Sequence, residues 1–213
     1  MKGLIIVGLK NLHITPLNLI LVTLAGLVFG AVITNSAIST PFTSGILSLF
    51  AFVYSIVYSQ EHSFNWRRLE FIMPLAASKK ILSRYILYCI LFLAYMCFYS
   101  AFALANFFSG VELSWFSFFD SLMFYLGFFQ LLGLFTLPLV EWLPVGKVGF
   151  AYPIGMTLGI IVLMSIIGLR LLFEARFGCV GEHFFLIFAL ITSILYVCSY
   201  FMCIRFYKRK SFE

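Results

Sequence analysis

The chain has 213 residues, 63% of them hydrophobic and only 10% charged, with a formal net charge of +6 at pH 7. A soluble domain of this size carries about a quarter charged residues, so the composition excludes a water-soluble globular protein and indicates one membrane domain. The basic excess does not indicate a nucleic-acid partner either, because the charges gather at the ends of apolar runs, as topology determinants do.

A membrane-spanning helix needs roughly 20 mostly apolar residues, and the pattern predicts an all-α integral membrane protein with six of them. Residues 1–15, MKGLIIVGLKNLHIT, are apolar but broken by Gly3, Gly8, Lys10, Asn11 and His13. Leu4 and Leu12 suit one face of a short interfacial helix with Lys10 toward water; the alternative is a frayed start to the first span. Pro16 suits a first helical turn, and the first predicted span is 16–33. An uncharged polar turn, 34–40, leads to Pro41 and a second span, 41–60. A polar stretch, 61–79, follows.

Ser78 is the expected N-cap of the third span, 80–107, whose first turns are basic. The fourth span covers 115–140, with Pro138 near its end. Glu141 to Lys147, EWLPVGK, reads as a turn broken by Pro144 and Gly146. The fifth span is 148–170, a small amphipathic segment occupies 171–182, the sixth span is 183–204, and the chain ends RFYKRKSFE. With both termini cytoplasmic, twelve of the fourteen basic residues face inward and only Arg170 and Arg176 face outward. That asymmetry obeys the positive-inside rule. The first apolar run outlasts a usual signal core and Asn35-Ser36-Ala37 is a weak cleavage site, so no removable signal peptide is expected.

Motifs for chemistry are missing. The one Gly-Lys pair, Gly146-Lys147, lacks both the earlier glycine and the following Ser or Thr of a phosphate-binding loop. There is no HExxH, no GxSxG and no CxxC pair. His13, His62 and His183 lie in three separate segments. No catalytic residue, metal site or cofactor is expected in this chain. The polar candidates inside spans are Asn106, Asp120 and Gln130. Asp120 is near the outer end of its span, where it reads as a snorkelling or structural group or as part of a pathway. Gln130 and Asn106 are suited to binding a neighbouring helix. Phe107, Phe108, Trp115, Phe116, Phe118 and Phe119 read either as an interfacial belt or as an aromatic route for an apolar cargo.

The polar stretch is more specific. Trp66, Leu69 and Met73 stand at i, i+3 and i+7, on one side of a short helix, with Arg67, Arg68 and Glu70 in other directions. Pro74 stops it. Such a helix docks into a partner protein or lies on anionic lipid.

In this stretch Glu61, Trp66, Met73-Pro74-Leu75, Ser78-Lys79-Lys80 and Arg84-Tyr85 stand in an order that resembles the ABC-2 type permeases, the membrane subunits of a class of ATP-binding-cassette exporters. The start, MKGLI, and the later PLVEWLPVGK resemble a bacterial subgroup of them. Gly8-Leu9, where the family often has Lys-Asp, and Met73, where Leu is usual, depart from the pattern. The resemblance implies two paired permeases in a bacterial cytoplasmic membrane. Beneath them, two separate ATPase subunits would carry ATP and magnesium. It also implies that Phe64 to Met73 form a cytoplasmic coupling helix, with Phe64, Trp66, Arg67, Arg68, Leu69, Glu70, Met73 and Pro74 as partner contacts. Residues 1–15 would be the connecting helix and 171–182 an outer lid. Cargo would be a peptide, antibiotic or other amphiphile. The rival readings are a non-transporting immunity or assembly factor, and an intramembrane enzyme or ion-coupled carrier that would need Asp120, Glu112 or Glu141.

Overall fold

The computed structural model describes residues 16–33, 39, 42–43, 45–51, 76–110, 115–143, 150–177 and 184–210. Five helices are resolved among them: α1 (Pro16–Val32), α2 (Ala77–Phe108), α3 (Trp115–Trp142), α4 (Ala151–Phe177) and α5 (Phe184–Lys210). Residues 45–51 are also helical. No strand occurs among the described residues. This is what lipid imposes, since an α-helix satisfies its backbone polar groups internally. α2, α3, α4 and α5 are each long and apolar enough to cross a membrane, and α1 is a shorter apolar helix. At 32 residues α2 is about 48 Å long, well beyond a hydrocarbon core of about 30 Å.

Several expected boundaries move. α2 begins at Ala77 with Ala76 in the N-cap position (φ −58°, ψ 139°), and no side-chain cap bond forms there. Ser78 therefore sits inside the first turn: the alanines ahead of it are strong helix formers, and the helix extends back toward Pro74. α2 ends at Phe108 with Ser109 at its C-cap, and Gly110 follows with a φ of +87°, which favours glycine. α3 continues through Pro138 to Trp142, so Glu141 is in its last turn and 2% exposed rather than in a turn. A proline deletes one hydrogen bond, and a membrane helix packed against neighbours tolerates that loss. α4 runs unbroken to Phe177 because LLFEARF holds no breaker before Gly178. The segment expected to be separate from 171 onward thus starts as a continuation of the span helix. α5 likewise extends through Arg205 into the basic tail.

The chain divides into two compact units, Met1–Phe119 and Asp120–Glu213. In the first, the contacts of α1 and α2 advance together. Gly26 lies against Phe98 and Ala101, Gly30 against Phe102 and Ala105. The two helices are parallel. The residues between them run the other way: Phe42 stacks on Phe102 at 6.1 Å, whereas Phe50 meets Tyr95 edge-on at 6.0 Å. The Tyr95 hydroxyl also donates to the Thr43 carbonyl at 3.2 Å. Parallel neighbours require the chain to return between them, and residues 42–43 and 45–51 are part of that return.

The second unit repeats the arrangement. Gly155 of α4 meets Thr136 of α3 and Gly159 meets Leu132, so α3 and α4 are antiparallel. Gly127 of α3 packs on Phe188 of α5, and Gln130 reaches Thr192 and Ser193, so α3 and α5 are parallel.

Candidate functional site

The close approach of α1 to α2 depends on the missing side chains of Gly26 and Gly30. A Cβ at Gly26 would stand 2.5 Å from the Phe98 carbonyl oxygen; one at Gly30 would collide with the Phe102 carbonyl oxygen. In lipid, helix association comes from dispersion and interhelical hydrogen bonds, and glycines four apart let backbones touch. Gly155 and Gly159 of α4 have the same spacing and use it against α3. Both pairs were legible as small-residue spacings, a signal the sequence reading did not use.

The three intramembrane polar residues do separate jobs. Asn106 is buried near the end of α2. With its amide turned to satisfy both sides, the side-chain nitrogen donates to the carbonyls of Gly30 and Ile33 at 3.0 Å each. These are among the last carbonyls of α1, which lack intrahelical donors, so Asn106 caps α1 from the neighbouring helix. The Gln130 side-chain oxygen accepts from the hydroxyls of Thr192 (3.1 Å) and Ser193 (2.9 Å) and ties α3 to α5. Asp120 is half-buried and less than two turns from the start of α3. Ten residues separate it from Gln130, about 15 Å along a helix, so the two do not converge on one site.

Arg170, expected from the charge pattern to face outward, has a local role. Its guanidinium lies 5.1 Å from the Phe184 ring and 4.6 Å from that of Phe185, clasping the end of α4 to the start of α5. The aromatic cluster divides in two. Phe107, Phe108 and Phe119 are exposed, as an interfacial belt requires, while Phe118 stacks on Tyr99 at 5.8 Å. Among the described residues no group of three or more His, Cys, Asp or Glu could hold a metal ion.

The basic groups sit at helix ends. Lys79, Lys80 and Arg84 occupy the first turns of α2, with Lys80 and Arg84 buried and engaged in interactions. Cations at a helix N-terminus oppose the macrodipole, so their placement there is not a gain for the isolated helix. At the end of α5, Arg205, Lys208 and Arg209 are exposed and line a shallow basic recess with Phe206. Beside it, an apolar cavity of about 360 Å³ lies within the second unit. Leu134, Pro138 and Trp142 of α3 and Ser199, Met202 and Phe206 of α5 line it. Proline has no N–H, so the Leu134 carbonyl, beside the cavity, loses its ladder bond.

The expected coupling residues, Phe64, Trp66, Arg67, Arg68, Leu69, Glu70, Met73 and Pro74, lie outside the described residues, as do the interfacial segment 1–15 and Glu112. No curated protein and no solved structure matches the chain. Residues 3–208, nearly its whole length, match the family described as ABC-2 family transporter protein, and the chain belongs to that family of membrane-spanning transport components.

Proposed function

We propose that this protein is the permease subunit of an ABC exporter: six spans, both termini cytoplasmic, and a coupling helix between spans two and three. Family membership across residues 3–208 carries the reading. The parallel pairs α1/α2 and α3/α5 support it, since alternating spans place first and third helices of each unit in the same direction. Two separate ATP-binding-cassette subunits bind and hydrolyse ATP with magnesium, and a second permease, identical or homologous, completes the path.

The mechanism is mechanical rather than chemical. Trp66, Leu69 and Met73 present an apolar face to a groove of the ATPase, with Phe64 at the helix start and Pro74 at its end. Arg67, Arg68 and Glu70 set its polar contacts. Closure of the ATPase pair on nucleotide moves this helix as a rigid body, and the long continuous α2, which follows it directly in the chain, transmits the movement across the bilayer. The cargo is amphiphilic or hydrophobic, in keeping with spans that hold few polar groups.

Affinity purification from native membranes, with mass spectrometry and an ATPase assay, tests this. The expected outcome is recovery of a soluble ATPase that hydrolyses ATP, lost on Trp66→Ala while the permease still inserts. A clean preparation with no ATPase would overturn the reading in favour of a non-transporting membrane protein.

A further inference from the structure

We propose that the apolar cavity lined by α3, α5 and Leu158 of α4, together with the basic end of α5, is a binding site for one anionic phospholipid of the cytoplasmic leaflet. The assignment to that leaflet rests on the orientation proposed above. The two halves of the site suit the two halves of such a molecule. The cavity is lined almost wholly by apolar groups, and its one side-chain hydroxyl, Ser199, already donates to the Tyr196 carbonyl at 2.7 Å. It therefore offers an acyl chain a surface with little polar cost. From Leu134 to Trp142 it follows α3 for about 12 Å.

The recess formed by Arg205, Lys208 and Arg209 shares Phe206 with that cavity, so charge begins where the apolar lining ends. Met202 and Arg205 are three apart, and Arg205 and Arg209 four apart, placing them in line along one stripe of α5. Guanidinium groups match phosphate oxygens in a planar, bidentate geometry. A headgroup phosphate at the arginines with a chain running toward Met202 and Ser199 uses both features. A soluble phosphate would use only the first, and a zwitterionic lipid would weaken it through its own cation.

Trp142 lines the cavity and is 61% exposed, which makes it a built-in reporter. The purified full chain would be placed in phosphatidylcholine vesicles containing equal fractions of brominated phosphatidylglycerol or brominated phosphatidylcholine. The Trp142 signal is the fluorescence of the wild type less that of Trp142→Phe. Quenching of that signal should favour the brominated phosphatidylglycerol, and the preference should fall about fivefold for each of Arg205→Gln and Arg209→Gln. Ser199→Leu, which narrows the cavity and keeps the arginines, should reduce the preferential quenching. Equal quenching by the two lipids, or a preference surviving both arginine changes or Ser199→Leu, would overturn the site. Competition by millimolar glycerol 1-phosphate would also overturn it, by showing a site for free phosphate. The assay needs neither transport nor an ATPase, so its failure is separable from failure of the permease reading.

Discussion

In the first unit α1 meets α2 through bare backbone at Gly26 and Gly30, and Asn106 closes the end of the seam. In the second unit α3 meets α5 through Gly127 and the Gln130 hydrogen bonds, and an apolar cavity that Leu158 of α4 also lines lies beside Pro138. Lipid tails are as apolar as leucine, so neither seam gains from a hydrophobic drive between helices. What differs is how much dispersion contact each recovers. A continuous glycine seam gives many close atom pairs and a rigid pair of helices; a seam beside a cavity leaves room for a guest and for movement.

Filling the first seam should have the largest effect. Gly30→Leu would force the side chain into the Phe102 backbone, which cannot swing aside as a side chain tip does. A loss of about 1–3 kcal/mol or more is expected, read as a lower melting temperature in detergent and less folded protein in membranes. Unchanged melting would mean that α1 and α2 are not packed this closely.

Asn106→Leu should cost about 1–2 kcal/mol, because it leaves the Gly30 and Ile33 carbonyls without their donor. Gln130→Leu should cost less, about 0.6 kcal/mol. Thr192 and Ser193 keep acceptors within their own helix, on the Phe188 and Ala189 carbonyls, so no buried donor is stranded. Measured side by side in one detergent, the two variants sharpen the contrast; equal losses would break it. An effect of similar size to that of Gln130→Leu but opposite sign should come from Gly168→Ala in α4, where nothing stands within 4 Å of the added carbon. There the helix should gain about 0.5–1 kcal/mol, visible as a slightly raised melting temperature.

The four long apolar helices among the described residues were legible because hydropathy is a property of the local window. The ends of α2 and α4 were less so. Ser78 has the chemistry of a cap, yet Ala76 holds the position, since Ala77 and Ser78 already take helical geometry. At α4 no residue from 171 to 177 enforces a stop, and amphipathic composition alone suggested one. Asn106 and Gln130 were visible as polar groups suited to binding a neighbour. Their partners, more than sixty residues distant in sequence, are fixed by tertiary packing that periodicity does not encode. Glu141 was misplaced in a turn because Pro144 and Gly146 read as its breakers, yet α3 runs on past Pro138 to Trp142, since lipid tolerates a proline that water would punish.

The most direct test concerns direction, since the proposed function rests on parallel α1 and α2 and on the proposed inward placement of the basic helix ends. With the five native cysteines replaced, single cysteines at Lys79, Ser109 and Lys208 would be labelled in intact cells with a membrane-impermeant maleimide. The expected result is labelling of position 109 from outside and of positions 79 and 208 only after permeabilisation. Labelling of 79 and 109 from the same side, or of 208 from outside, would contradict the six-span, inward-facing arrangement.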